Sequence, residues 1–220
     1  MFQIKSFSFS PVEENTYVLY NEHHDAIIID PGCYFTEEEE TIAEFIKTNK
    51  LKPKLLINTH CHLDHVFGNQ WVHKTYKLEP HIHPLEEELL KNAPISGKKF
   101  GLEFTNYTGP LHFLKEDQII KLGEDELKVI HTPGHSPGSV SLYCQQQDFI
   151  ISGDVLFRES IGRADLPGGS FDVLIKTIRG KLFVLPKKTV VYSGHGPSTT
   201  ILHEWDHNPY TGQHNRPANH

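Results

Sequence analysis

From Leu51 the chain runs LKPKLLIN directly into THCHLDH, so an apolar segment of strand length ends in three histidines, a cysteine and an aspartate between His60 and His65. A short apolar run bounded by turn residues reads as a buried strand. Where it leaves the sheet, the H-x-H alternation sends the imidazoles of His60 and His62 to one side, with Asp64 and His65 just beyond. Neutral imidazole and carboxylate are ligands for zinc, iron or manganese. Packed this tightly and buried without a cation, they would be left repelling or unsatisfied. A solvated histidine-rich turn is the plainer reading, and the apolar strand before the loop argues against it. The fold therefore has to deliver a polar cluster to the end of a buried strand, where α/β sheets place their ligand sites.

Three further turns repeat the arrangement. His135 sits in TPGHSPG, Asp154 in IISGDV and His195 in VYSGHGP, each after an apolar run and hemmed by glycine or proline. A lone histidine in such a turn is more often structural than chemical. Taken together, His60, His62, Asp64, His65, His135, Asp154 and His195 exceed what one tetrahedral ion can use, and they suit two ions sharing a bridging carboxylate.

The rest of the chain specifies an α/β fold. Strands are expected over FQIKSFSF, NTYVLY and DAIIID, the first two alternating with one buried face and the third buried on both. At Thr36 the period becomes helical, with Thr36 and Glu39 spaced as a capping box and a helix to about Asn49. Further helices are expected through Gln70 to Lys77 and Leu85 to Lys91. Residues 92–110 carry four glycine or proline breaks and read as a surface excursion, a lid or a long loop. Strands then return over DQIIKL, ELKVIHT, SVSLYCQ, DFIISGDVLF and KTVVYSG, with helices at Phe171 to Ile178 and Ser198 to His207. The pattern implies two sheets meeting in a core with helices outside, as one domain over residues 1–210 and a polar, mobile tail at 211–220.

Composition narrows the function classes. A formal net charge of −7 and the lack of any basic run interleaved with aromatics argue against nucleic acid as a partner. No apolar run approaches the roughly 20 residues a bilayer crossing needs, so no membrane association is expected. Three widely separated cysteines, without a CxxC pair, indicate neither a disulfide framework nor a cysteine-built zinc site and fit a reducing cytoplasm. Cys61, between two ligands, is pointed away from them by alternation and reads as a small buried residue.

These four motifs, in this order, resemble the metallo-beta-lactamase superfamily, and the resemblance covers the chain from Met1 to about Tyr210. It implies an αββα four-layer sandwich, two mixed sheets flanked by helices. It also implies two divalent metal ions, zinc first, with iron or manganese also possible. His60, His62 and His135 would hold the first ion and Asp64, His65 and His195 the second, with Asp154 and a hydroxide bridging them. A water shared by two such ions ionises near neutral pH; Asp64 would orient the resulting nucleophile. Within the superfamily, SGHGPSTT followed by E204-x-x-x-N-P-Y210, HPLEEEL at 83–89 and GRADLPGG at 162–169 resemble the compact glyoxalase II-like hydrolases, thioesterases related to hydroxyacylglutathione hydrolase. The resemblance implies a small-molecule thioester of the S-D-lactoylglutathione type as substrate, although the chain stops short of the added C-terminal helical segment of full-length glyoxalase II.

Other readings stay open. A persulfide dioxygenase of the same fold would use one iron on the equivalents of His60, His135 and Asp154, and a lactonase or beta-lactam hydrolase would need the same nucleophile. Arg163 and Asp165 either approach the substrate or pair with each other, and Tyr107, with Lys98, Lys99, Phe100 and Phe104, is a candidate substrate contact. Oligomeric state is not legible in these residues.

Overall fold

Residues 1–9 and 11–213 are described by a computed structural model, in which the chain divides into two compact units, residues 1–114 with 120–126, and 115–119 with 127–220. The first unit is built on a six-stranded mixed sheet of β1 (Gln3–Phe9), β2 (Glu14–Tyr20), β3 (Asp25–Ile29), β4 (Lys52–Ile57), β5 (Pro80–Ile82) and β6 (His112–Phe113), in that order. β1, β2 and β3 pair antiparallel, and β3 through β6 run parallel. Antiparallel neighbours need only tight turns, whereas each parallel pair needs a crossover, and α1 (Thr36–Thr48) supplies the one from β3 to β4. Ile42 and Ile46 of α1 lie against Val18, Ile28 and Leu56 of the sheet. Each fully buried aliphatic side chain contributes roughly 1.5–3 kcal/mol of transfer free energy.

Several expectations need correction. β2 is not half-buried: Glu14 through Leu19 are all buried, with Val18 packed in the α1 cluster on one face and polar Thr16 bonded internally to Glu14 and the Asp30 carbonyl. The α1 cap falls one residue early, where Phe35 is the N-cap and Glu38, rather than Glu39, reaches back to accept from the N–H groups of Tyr34 and Phe35 at 2.8 and 3.1 Å. α2 (Leu63–Val66) is a single turn, and α3 (Asn69–Tyr76) follows it.

The largest departure is α4 (Glu87–Lys99), which runs on through Pro94 after a 3₁₀ turn at Pro84–Glu86. Proline has no N–H to give the carbonyl four residues back. Here that carbonyl, on Leu90, accepts instead from Asn106 Nδ2 at 2.7 Å. The surface excursion therefore starts near residue 100.

The second sheet, in the order β14-β13-β10-β9-β8-β7, comprises β7 (Ile119–Leu122), β8 (Asp125–His131), β9 (Val140–Cys144), β10 (Phe149–Gly153), β13 (Val190–Ser193) and β14 (Thr199–Thr200); β11 (Leu156–Phe157) and β12 (Ser160–Ile161) form a separate ribbon. β10 and β13 are parallel and their neighbours antiparallel. α5 (Phe171–Thr177) continues into a π-helical turn, Ile178–Leu182, whose Ile178 and Leu182 join Leu174 in the core. α6 (Ile201–His207) begins later than expected, because Thr199 and Thr200 pair with β13 and the Thr200 hydroxyl caps the helix by accepting from the His203 N–H.

The E204-x-x-x-N motif closes this end. Glu204, fully buried, accepts from the Thr199 hydroxyl at 2.5 Å, the Glu159 N–H at 2.9 Å and Asn208 Nδ2 at 2.8 Å. Asn208 in turn accepts from the N–H groups of Tyr210 and Thr211. Thr211 and Gly212 are consequently buried, so the tail expected at 211–220 does not begin there, and residues 214–220 of that expectation lie outside the described residues. Among the described residues no helix is long and apolar enough to cross a membrane.

Candidate metal centre

In the first unit, two adjacent parallel strands set the geometry. β3 ends at Ile29 and β4 at Ile57, opposite each other in the register, so Asp30 and the loop carrying His60 leave the sheet side by side. Asp30 turns away in a left-handed conformation, φ 48°, which aspartate tolerates better than most residues and which the following proline makes abrupt. Its carboxylate then grips the neighbouring loop: Oδ1 accepts from the Thr59 N–H at 2.7 Å and Oδ2 from the Thr59 hydroxyl at 2.6 Å. The same Oδ2 lies 3.1 Å from Nδ1 of His65. That contact assigns the ring proton of His65 to Nδ1 and its lone pair to Nε2, the arrangement by which a carboxylate orients a metal-binding imidazole.

Around this grip, His60 and His65 are fully buried with ring centroids 4.1 Å apart, and His62 meets His60 edge-on at 4.8 Å. Asp64 Oδ2 lies 3.7 Å from His65 Nε2. A second buried carboxyl, Glu14, stands behind the ring with Oε1 3.7 Å from His65 Nδ1, and burial pushes its pKa well up, favouring the neutral acid. Glu86, fully buried, accepts from the Cys61 N–H at 2.8 Å and so holds the backbone between His60 and His62. The Cys61 side chain points instead into an apolar cluster with Val66, Ile82 and Leu90, as alternation requires. Burial raises its thiol pKa, which suits a packing role rather than a reactive one.

The second unit repeats the device. The register pairs Gly153 of β10 with Ser193 of β13, so Asp154 and His195 again leave adjacent parallel strands together. His135 arrives from the turn after β8, which closes with Thr132 N–H to Ser139 O at 2.7 Å and the Ser136 and Ser139 hydroxyls 2.7 Å apart. Gly134 adopts φ 136°, and a Cβ there would lie 2.4 Å from the Leu174 backbone, so no other residue fits. Nε2 of His135 and Nε2 of His195 each lie 3.5 Å from the same oxygen, Asp154 Oδ2. Two imidazole nitrogens thus converge on one carboxylate oxygen.

The GRAD turn serves this cluster by its backbone. The Arg163 carbonyl lies 2.7 Å from His135 Nδ1, which fixes the tautomer with Nε2 as the donor lone pair. Gly162 lets the turn approach that closely, since a Cβ would fall 1.8 Å from the Asp154 carbonyl oxygen. The side chains that drew notice in the sequence are engaged elsewhere: Arg163 and Asp165 are exposed and pair through two 2.8 Å bonds, holding Asp165 down to about 2. Tyr107 is buried, and its hydroxyl donates to the Pro110 carbonyl at 2.8 Å, so it stabilises its own loop. Asp30 and Glu14 were not singled out from sequence, and Glu86 entered only within the HPLEEEL motif, with no role of its own. D-P-G reads only as a turn.

Comparison with known proteins gives a consistent picture. Residues 10–195 match the family model described as the metallo-beta-lactamase superfamily. A relative from Bacillus subtilis named probable metallo-hydrolase YqgX is 38% identical over 91% of this chain and 93% of its own. Hydroxyacylglutathione hydrolase GloC of Haemophilus influenzae is 32% identical over 90% and 92%. Among solved structures, the BLEG-1 B3 metallo-beta-lactamase superposes with a TM-score of 0.87 at 39% identity, covering 95% of this chain and 99% of that one. TTHA1623, solved in a di-iron-bound form, gives 0.85 at 33% identity, covering 94% and 99%. The two mixed sheets flanked by helices are thus shared with both.

Proposed function

Because the chain belongs to the metallo-beta-lactamase superfamily and so to a fold of metal-dependent hydrolases, we propose that it is a binuclear thioesterase acting on S-acyl thiols of the hydroxyacylglutathione type. The ions would be held by His60, His62 and His135 on one side and Asp64, His65 and His195 on the other, with Asp154 bridging. The donor chemistry fits: His65 and His135 each have Nδ1 engaged by an oxygen and Nε2 turned to the cluster, and each cluster contains a carboxylate. Zinc suits this set best, and iron is supported by the di-iron form of TTHA1623. When bound, a cation pair supplies Lewis acidity to a carbonyl oxygen and a water nucleophile ionised near neutral pH.

The chain's own residues do the rest. Asp30 and the Arg163 carbonyl keep His65 and His135 in the tautomers that donate from Nε2. Asp64, partly exposed beside His65, would help hold an ion and orient the nucleophile. The thioester reading is carried by one observation beyond the ligands: full-length similarity to a protein named hydroxyacylglutathione hydrolase, which is as compact as this chain. The three cysteines, all buried and none in a disulfide, fit a reducing cytoplasm, and a small thioester rather than a macromolecule is the partner.

The deciding experiment is a rate panel on protein whose metal content has been counted: S-D-lactoylglutathione, a lactone, a beta-lactam and a glutathione persulfide with oxygen uptake. Thioester turnover at least a hundredfold above the others is expected. Iron at one equivalent with rapid oxygen consumption would replace this reading by the dioxygenase.

A further inference from the structure

The first unit contains a cavity of about 420 Å³ between the start of α1, one face of α3 and the segment after α4. Its wall combines two kinds of group. Tyr34, Phe67 and Phe104 form an aromatic corner, the Phe67 ring lying 4.9 Å from each of the other two at steep angles. Glu39 and Lys74 face the same space with opposite charges. Lys74 lowers the Glu39 pKa, although desolvation outweighs it and the net shift is upward. Among the described residues, neither side chain makes a hydrogen bond or an ion pair within 4 Å. An acid and a base that sense each other across a cavity without closing on each other leave a gap that a ligand carrying both charges can fill.

We propose that this cavity takes the α-amino-acid head of the carrier thiol, its ammonium against Glu39 and the aromatic faces and its carboxylate against Lys74. The proposal rests on the thioesterase reading and names its substrate class: thiol carriers ending in a free amino-carboxylate. An ammonium over aromatic faces gains cation–π attraction beyond its ion pair. A polyanionic nucleotide carrier would meet a single lysine and at least one carboxylate there, and it exceeds the volume. Phe67 of the cavity wall follows His65 by two residues, so the cavity adjoins the segment that carries the histidine cluster of this unit. The contact also gives the segment after α4 a purpose, since Phe104 comes from it.

Calorimetric titration of the metal-loaded full chain tests this with S-methylglutathione, which keeps the amino-carboxylate and cannot be hydrolysed. Its N-acetyl derivative, lacking the ammonium, is the control. Binding at least tenfold weaker for the acetylated probe is expected, with a comparable loss for S-methylglutathione in Glu39→Gln and in Lys74→Ala, both checked for an unchanged unfolding temperature. In the same variants KM for S-D-lactoylglutathione should rise tenfold or more with kcat within twofold. Equal binding of the two probes, or unaltered binding in both variants, overturns the proposal. Thioester turnover indifferent to Glu39 and Lys74 also sinks the pocket while leaving the hydrolase standing. Binding that depends on both residues in a protein that cleaves no thioester upholds the pocket and removes the hydrolase.

Discussion

Replacing Gly162 by alanine is the sharpest probe of the second cluster, because it adds one methyl group at a point where the backbone has no room. The added Cβ would lie 1.8 Å from the Asp154 carbonyl oxygen and 3.2 Å from His135 Nδ1, against a floor of about 3.0 Å for real Cβ contacts. Restoring even that floor takes a displacement of about 3.0 − 1.8 = 1.2 Å, shared between the Gly162 turn and the strand end carrying Asp154. Neither can move alone: the next carbonyl, on Arg163, fixes His135, and Gly153 is tied to Gly194 by a 2.9 Å hydrogen bond. Overpacking of this kind costs about 1–3 kcal/mol of stability. A displacement near 1 Å at a catalytic constellation costs about 100-fold in rate. Gly162→Ala should therefore fold, unfold at a lower temperature, bind less than its full metal complement and lose about two orders of magnitude in turnover. Metal counting by plasma emission, thermal unfolding and the thioester assay read the three effects separately. A variant that keeps its full metal content and turns over within threefold of the parent would refute the claim that the GRAD turn positions His135 and Asp154.

Further outcomes follow from the same geometry. Asp30→Asn replaces the carboxyl group that faces His65 Nδ1 at 3.1 Å and should weaken metal binding by about 10- to 100-fold in competition with a chromophoric chelator, whereas unchanged affinity would show His65 to be held by other means. Glu204→Ala strands three donors in a buried site and should cost about 2–4 kcal/mol in chemical denaturation, with metal content intact in the folded protein. Asp165 should titrate near 2 by carboxyl-carbon NMR, and Arg163→Ala should return it toward about 3.9. Because its folded value is depressed, whatever stability the pair lends is present above pH ~4 and is lost as pH falls toward 2; a midpoint unmoved by Arg163→Ala would disprove the pairing in solution.

What was legible in the sequence and what was not divides along a physical line. Strands ending in glycine-hemmed histidines or aspartates could be read because periodicity and turn chemistry are local, and β4, β10 and β13 lie where they were expected. The path of α4 could not: proline interrupts the local pattern, and what rescues the helix is the Asn106 amide, sixteen residues beyond the carbonyl it satisfies. The burial of β2 on both faces likewise depends on what packs above and below it, Ile42 and Ile46 of α1 among them, which its own alternation does not encode.

The same division governs the two clusters. A metal ligand must be one of a few residue types, so His60, His135 and Asp154 stand out as candidates by identity and spacing. A group that orients a ligand needs only an oxygen at the right distance. Asp30 supplies one from a carboxylate that reads as a turn residue, and Arg163 supplies one from its backbone, while its guanidinium, the feature that attracts attention, pairs with Asp165 in solvent. Gly162 contributes by having no side chain at all. It follows that a relative retaining all seven candidate ligand residues is not thereby shown to be active. The sharper criterion is whether it also keeps a carboxylate at position 30 and the absence of a Cβ at position 162, since both fix where the lone pairs point.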